Sequence, residues 1–190
     1  MVIRYLLLSF VLLNFFGPIA QAQQSARDDV AVSVHFDGDI VVVDASFNVA
    51  VTPQEAWAVL TDFDHLAKFI SNLQSSTVLS RTGDTLRVAQ KGKASMGPLS
   101  FSFDQVREIT LTPYEAIHSR MVSGSMKKFE GTTRLVPDAS NTHVVYHSES
   151  IPNVWVPPIL GRAFIERETR AQFLEFRSEM LRRKQAADAK

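Results

Sequence analysis

Glu166 and Arg170 form a charged pair, four residues apart, near the C-terminal end of the chain. On a helix, side chains at this spacing share a face and can form a surface ion pair worth about 0.3–0.5 kcal/mol. Alternatively, Arg170 faces an internal cavity and donates hydrogen bonds to a carboxylate, carbonyl or quinone oxygen of a bound molecule. The sequence leaves both interpretations of Arg170 open.

Three further polar residues, Arg120, Tyr146 and Glu149, fall in segments whose pattern predicts strands. The alternation of a strand shows which residues share a face, but it does not show which face points inward. We therefore consider these three residues as candidate polar contacts for a molecule held inside the fold.

A metal site is not predicted. His143 and His147 would suit two metal ligands on a helix, but four residues of a strand span about 13 Å. Two ligands of one ion must each lie about 2 Å from it. The other histidines, His35, His65 and His118, are isolated, and the chain has no cysteine, which excludes disulfides, thiolate metal sites and cysteine nucleophiles.

Motifs for covalent catalysis have little support. Ser125 and Lys128 match the Ser-x-x-Lys pattern of penicillin-recognising enzymes, but they lie across a predicted hairpin turn, and the partner motifs are missing. The nucleophile-elbow, dinucleotide and phosphate-loop patterns are absent from the sequence. Asp62 and Asp64 resemble an acid–base pair, but their positions at helix ends favour capping. We predict no catalytic residue and no cofactor.

The chain has 190 residues, of which 45% are hydrophobic and 21% are charged. This length and composition predict one globular domain with a sizeable core. The 20 basic residues balance the 20 acidic ones, so no nucleic-acid partner is indicated by charge.

Residues 1–22 have the pattern of a cleaved signal peptide. Arg4 precedes an apolar stretch, Tyr5–Phe16, which ends at a Gly-Pro pair and is followed by a small-residue cleavage site, Ala20–Ala22. An apolar stretch of about a dozen residues is short of the ~20 that cross a bilayer, so a retained anchor is the less favoured alternative. We expect cleavage after Ala22 and a periplasmic or secreted protein.

The rest of the chain is divided into a mobile lead-in at 23–38, a domain at 39–184 and a tail at 185–190. The end of the lead-in could instead be an edge strand. Ile40–Val51 is a valine-rich strand, and Thr52, Pro53 and Glu55 then supply a cap, a first-turn proline and a capping box for a short helix. A second short helix begins after Asp62.

From Asn72 onward the hydrophobic period is two, which predicts strands joined by short, turn-like connections. These strands are Thr77–Arg81, Thr85–Ala94, Leu99–Ile109, Glu115–Val122, Lys127–Val136 and His143–Ile151. Connections this short make neighbouring strands antiparallel.

Val156–Lys184 is predicted to be one long helix with two apolar stripes. The first stripe contains Ile165, Phe173, Phe176 and Met180, and the second contains Leu160, Phe164, Ala171, Leu174 and Leu181. One polar row between the stripes, Glu168, Glu175, Glu179 and Arg182, is expected to face solvent. The other, Glu166, Arg170 and Arg177, is expected to face inward. Because a single helix cannot fill the concavity of a curled sheet, we expect an apolar cavity between them.

This order of elements, together with the motif Val51–Phe63 (VTPQEAWAVLTDF), resembles the START-like, helix-grip (SRPBCC) superfamily, and in particular its polyketide cyclase/dehydrase and coenzyme Q-binding group. The resemblance covers residues of about 40–184, with further support from Pro152, Pro157 and Pro158. It implies an α+β helix-grip fold, in which a curled antiparallel sheet of six to seven strands, two short helices and a long C-terminal helix enclose a hydrophobic cavity. It also implies binding of lipids, quinones, sterols or polyketides, and only some branches are enzymes.

Further candidate ligand-binding residues are apolar or aromatic side chains expected around this cavity: Trp57, Phe101, Phe103, Trp155, Phe164 and Leu174. Trp57 could instead be an ordinary core residue. The proline-containing loop Ile151–Leu160 would lie at the cavity entrance, where it either admits ligand and makes transient membrane contact or packs down as a lid.

Three functions are compatible with these features. The first is an exported, non-enzymatic carrier of a hydrophobic small molecule such as a lipid, an isoprenoid quinone or a polyketide-like compound. The second is a cyclase or dehydratase acting on a polyketide-like or aromatic substrate in the same cavity, which would need a pair of titratable groups converging there. The third is a protein-interaction module that uses the charged surface of the terminal helix.

Overall fold

The computed structural model describes residues 30–96, 99–154 and 156–189. The signal-peptide prediction at 1–22 and the start of the predicted lead-in at 23–29 lie outside these residues. So does Trp155.

One antiparallel sheet and one long helix account for most of the fold. In chain order the elements are β1 Ala31–Asp37, β2 Ile40–Val49, α1 Pro53–Leu60, a 3-10 helix Phe63–Lys68, β3 Leu73–Thr82, β4 Thr85–Met96, β5 Leu99–Thr112, β6 Ala116–Gly124, β7 Met126–Asp138, β8 Asn141–Pro152 and α2 Pro158–Asp188. The strand order is β1-β2-β8-β7-β6-β5-β4-β3. The chain therefore leaves the sheet after β2, forms the two short helices, and re-enters at the opposite edge.

The predicted α+β helix-grip class is confirmed, but the sheet has eight strands rather than six or seven. The additional strand is β1, which pairs with β2 along its whole length, from Ala31 opposite Ser46 to Asp37 opposite Ile40. Gly38 permits the tight turn between the two strands because its φ of 57° is one that other residues rarely adopt. Of the two alternatives for the end of the lead-in, the structure thus shows the edge strand.

The capping box predicted at the start of α1 is confirmed. The hydroxyl of Thr52 accepts from the backbone N–H of Glu55 at 3.3 Å, and the Glu55 carboxylate accepts from the backbone N–H of Thr52 at 2.7 Å. The capping interpretation of Asp62 is wrong, since its side chain makes no cap hydrogen bond and instead contacts His65 and Arg183. Asp64 accepts from the backbone N–H of Val78 at 2.7 Å, which ties the 3-10 helix to β3.

Helix α2 rests on the sheet through its second half. Phe173 and Phe176 are buried, and the ring of Phe173 lies 5.7 Å from that of Phe47 on β2 and 5.2 Å from that of Tyr146 on β8. Phe176 meets Phe69, just after the 3-10 helix, edge to face at 5.9 Å. This aromatic cluster fixes the position of the helix over the concave face of the sheet.

Only one of the two predicted apolar stripes of α2 is well buried. Leu160 and Leu174 of the second stripe are 54% and 38% exposed, because a single sheet covers only one side of a helix.

The polar row of α2 that was predicted to face inward contacts the edge of the sheet instead. Arg170 donates to the backbone carbonyl of Val30, next to β1, and Arg177 donates to that of Asn48 on β2. These arginines hold the helix against the β1–β2 edge of the sheet. Among the described residues, no helix combines the length and apolar content required of a bilayer-spanning segment.

Glu179, predicted to face solvent, is instead buried beneath two arginines. Its carboxylate accepts hydrogen bonds from Arg182 and Arg183 at 2.7 Å, and Arg183 also contacts Asp62 at 2.8 Å. The hydrogen bond from Arg182, followed by that from Arg183, outweighs burial and lowers the pKa of Glu179 to about 2. The network joins the end of α2 to the segment between α1 and the 3-10 helix.

We predict that Glu179→Gln lowers the free energy of unfolding by roughly 1–2 kcal/mol at neutral pH, a value reduced by the solvent exposure of Arg182. Because the folded pKa of about 2 lies below the ordinary 4.5, this stabilisation is present above pH 4.5 and is lost as the pH falls toward 2. Urea denaturation of both proteins across this range measures the difference. The control is Asp188→Asn, an exposed carboxylate on the same helix. A wild-type advantage that stays constant with pH would contradict the prediction.

Candidate ligand cavity

A cavity of about 410 Å³ separates the first half of α2 from the concave face of the sheet. Its size falls within the range of small-molecule binding sites. The sheet contributes most of its wall, from strands β2, β4, β5, β7 and β8. The lining includes Val41, Val43, Asn72, Ala94, Phe101, Phe103, Met126, Phe129, Tyr146, Ser148, Val156, Leu160, Phe164, Ile165, Glu168, Thr169, Gln172 and Phe173.

The cavity lies beside the first half of α2, where fewer helix residues are buried than from Phe173 onward. In that half, Ile165 packs against the apolar cluster of β1 and β2. The buried residues of the second half are Phe173, Phe176, Glu179 and Met180, whereas in the first half only Gly161 is buried. Gly161 packs so closely against Val156 that a Cβ atom would collide with that side chain. The first half of the helix therefore spans the space between the aromatic cluster and the segment before the helix.

Aromatic rings form much of the cavity wall. Phe101 and Phe103 project from β5, Phe129 from β7, and Phe164 and Phe173 from α2. Gly92 on β4 makes room for Phe103, because a Cβ at position 92 would collide with the Phe103 ring and with the backbone carbonyl of Asn72. A wall of this kind offers a planar or branched apolar molecule extensive dispersion contact.

A few polar groups interrupt this wall. Burial raises the pKa of the Tyr146 phenol, although a hydrogen bond with Ser148 and the nearby Arg107 oppose the shift, so the phenol is neutral at physiological pH. The side-chain oxygen of Asn72 is buried and has no hydrogen-bond partner in the described part of the chain. Tyr146 and Asn72 can therefore orient a polar atom of a bound molecule.

Behind the wall lies a partly buried arginine, Arg107 on β5. One of its terminal nitrogens donates to the side-chain oxygen of Gln90, whose own amide nitrogen donates to Ser76 at 3.1 Å. The guanidinium carbon lies 5.7 Å from the centroid of the Phe129 ring, over its face. Its Nε atom is buried without a hydrogen-bond partner among the described residues. Burial lowers the pKa of this guanidinium, and the neighbouring Tyr146 opposes the shift.

Four of the candidate residues from the sequence line the cavity: Phe101, Phe103, Tyr146 and Phe164. Trp57 lies elsewhere, on α1, where it packs edge to face against Tyr114 at 5.8 Å, as the alternative core interpretation expects. Trp155 lies outside the described residues.

The remaining candidates project away from the cavity or into other contacts. Arg120 forms an ion pair with Glu108 at 2.6 Å, and Glu149 lies 4.0 Å from His147, beside Asp44. Leu174 is 38% exposed, and Arg170 contacts Val30 as described above. Arg120 and Glu149 were misplaced because alternation alone does not identify the inner face of a strand.

Sequence reasoning missed Arg107 and Gln90, although a signal for both was available. Arg107 alternates in phase with Phe103, Ile109 and Leu111 on β5, and Gln90 alternates in phase with Leu86, Val88 and Ala94 on β4. A charged or amide residue at an apolar position of a strand must point into the core. That pattern identifies interior polar residues without knowledge of the fold.

Exposed aliphatic side chains lie beside the opening of the cavity. Val154 and Ile159 are 59% and 85% exposed, and Leu160, which lines the cavity, is 54% exposed. The predicted loop Ile151–Leu160 is shorter than expected, because β8 continues to Pro152 and α2 begins at Pro158, so Ile159 and Leu160 lie in the first turn of the helix.

Comparison with known proteins places this architecture in a family. Residues 49–177 match the family described as polyketide cyclase / dehydrase and lipid transport. The chain belongs to this family. The match covers most of the domain, including strands β3 to β8 and the part of α2 that borders the cavity. No curated protein matches the chain.

Solved structures share the fold at low sequence identity. The Zhui aromatase/cyclase from Streptomyces sp. R1128 has a TM-score of 0.68 and 19% identity, covering 78% of this chain and 98% of that protein. The STAR-related lipid transfer protein from Xanthomonas axonopodis has a TM-score of 0.63 and 16% identity, with coverage of 78% and 98%. A START superfamily protein from Mycobacterium smegmatis has a TM-score of 0.64 and 14% identity, with coverage of 74% and 97%. The fold is thus shared by a protein named as an enzyme and a protein named for lipid transfer.

Proposed function

We propose that this protein carries or sequesters a hydrophobic small molecule in the cavity beneath α2 and releases it chemically unchanged. The observation that carries the proposal is the aromatic-lined cavity of about 410 Å³ between the first half of the helix and the sheet. Membership of a family whose description includes lipid transport supports it. A lipid, an isoprenoid quinone or a polyketide-like compound has the apolar surface that such a cavity requires.

Apolar burial would supply most of the binding free energy, at about 25 cal/mol per Å² of apolar surface removed from water. The few polar groups of the wall, chiefly Tyr146 and Asn72, would set the orientation of the ligand. A polar atom bound there satisfies groups that are otherwise buried without enough partners.

We predict that Thr169→Trp blocks the cavity, because Thr169 lies on its helical wall and an indole would occupy the ligand's space. Affinity for the neutral apolar fluorophore N-phenylnaphthylamine should fall at least about tenfold. Fluorescence titration measures the dissociation constant. The matched control is Ala171→Trp, two residues away on the exposed side of the same helix, which should bind as the wild type does. Equal loss in both variants, or in neither, would contradict binding in this cavity.

We further propose that the protein is exported and acts in the periplasm or outside the cell. The signal-peptide pattern of residues 1–22 supports this location. The mature protein recovered from the producing cells should begin at Gln23 and should be released with the periplasmic or extracellular fraction. N-terminal sequencing of each fraction checks this expectation. An intact N-terminus in a protein confined to the cytoplasm would overturn it.

We also propose that the exposed aliphatic side chains at the cavity opening make transient contact with a membrane during ligand exchange. Ile159→Glu should weaken flotation with vesicles of phosphatidylcholine and phosphatidylglycerol by about threefold to tenfold, because one inserting aliphatic side chain is replaced by a charge. Leu79→Glu, at an equally aliphatic exposed position on the distant strand β3, is the control. If both variants float like the wild type, membrane contact does not involve this segment.

A further inference from the structure

We propose that the ligand carries an anionic oxygen, such as a carboxylate or phenolate, and that Arg107 pairs with it at the inner end of the cavity. This inference rests on the proposed binding function and names the chemical class of ligand. Three features of the structure support this inference. Arg107 lacks a counter-ion among the described residues, it lies behind the cavity wall, and Glu168 lies on the helical wall of the same cavity.

Arg107 has no anionic partner in the described part of the protein. Its contacts are the neutral amide of Gln90, the face of Phe129 and the neutral phenol of Tyr146. By contrast, Arg120 on the neighbouring strand β6 faces outward and forms an ion pair with Glu108 at 2.6 Å. Arg107, on the inner face of the sheet, thus lacks the carboxylate partner that the exposed Arg120 has.

A buried charge without a counter-ion is costly. The effective penalty for desolvating an ion inside a protein is several kcal/mol, and arginine does not escape it by losing its proton, because a guanidinium stays charged in folded proteins. Gln90 and Phe129 offset part of this cost through a hydrogen bond and a cation–π contact. The Nε donor still has no partner among the described residues. An anionic oxygen reaching this guanidinium would satisfy both the charge and the donor.

The guanidinium lies within reach of the cavity. Phe129 and Tyr146 both line the cavity, and Arg107 contacts the first and is electrostatically coupled to the second. Access requires the Phe129 ring, which lines the cavity, to move to another rotamer. Phe103, on the same face of β5, leads from the middle of the cavity toward Arg107.

Glu168 determines the orientation of such a ligand. This residue lines the helical wall of the same cavity, and its side chain is 19% exposed and lies 3.9 Å from the exposed Arg167, a distance at which the pair only partly screens its charge. An anionic group next to Glu168 would be repelled, whereas the same group next to Arg107 would be attracted. The anionic end therefore lies against the sheet beyond Phe129, and the apolar body extends along the aromatic wall toward α2 and Leu160.

The test compares para-hexylbenzoate with para-hexylbenzamide, which have the same shape and apolar body but differ in charge. We expect the wild-type protein to bind the carboxylate about 10- to 100-fold more tightly, as a charge-assisted contact to a buried group predicts. Both dissociation constants are measured by displacement of N-phenylnaphthylamine. Arg107→Gln should remove this preference, because the carboxylate loses its cationic partner, and Arg107→Lys should restore part of it.

The outcomes separate this inference from the function on which it rests. If the wild type binds both compounds equally, Arg107 does not recognise an anion, although the binding function stands. If Arg107→Gln retains the preference, another group supplies it and the inference is overturned. If neither compound binds and N-phenylnaphthylamine also fails, the proposed binding function itself is wrong. The wild-type comparison needs no variant, so it remains decisive even if Arg107→Gln does not fold.

Discussion

The contact between the second half of α2 and the concave face of the sheet determines the rest of the structure. Phe173 meets Phe47 and Tyr146 there, and Phe176 meets Phe69, so one cluster of rings joins the helix to the neighbouring strands β2 and β8 and to the end of the 3-10 helix. Beyond this cluster the sheet curves away from the straight helix. Because no other helix covers that part of the described sheet, the divergence leaves a space rather than a core.

Polar contacts then determine how firmly the helix is held. Arg170 and Arg177 bind backbone carbonyls near β1 and β2, and the network of Glu179, Arg183 and Asp62 binds the far end of the helix to the short helices. Arg170 lies three residues before Phe173, and the other contacts lie in the second half of the helix. The first half of α2, which bears Leu160 and Phe164, has fewer such restraints and borders the cavity opening. A rigid second half and a more lightly held first half suit a site that must admit and release a large apolar molecule.

Much of this fold could be predicted from the sequence, because its patterns are local. The capping box at Thr52 and the period-two strands from Asn72 onward reflect forces between near neighbours. The rotation of α2 about its own axis could not be predicted, because both apolar stripes are equally suitable in isolation and only the three-dimensional sheet selects Phe173 and Phe176. Arg120 and Glu149 were misplaced for a related reason, since the inner face of each strand depends on its partners. Arg107 was the reverse case, because its position among apolar residues of β5 already indicated the interior.

Native mass spectrometry of the mature protein, purified gently from the cells that produce it, shows whether the cavity beneath α2 holds a small molecule. We predict a stoichiometric small-molecule adduct on the wild-type protein, which organic solvent removes intact. The Thr169→Trp variant should carry no such adduct. The released compound should be largely apolar. A protein that carries no adduct, and that takes up none when incubated with a total lipid extract of the same cells, would contradict the claim that the cavity beneath α2 is a ligand-binding site.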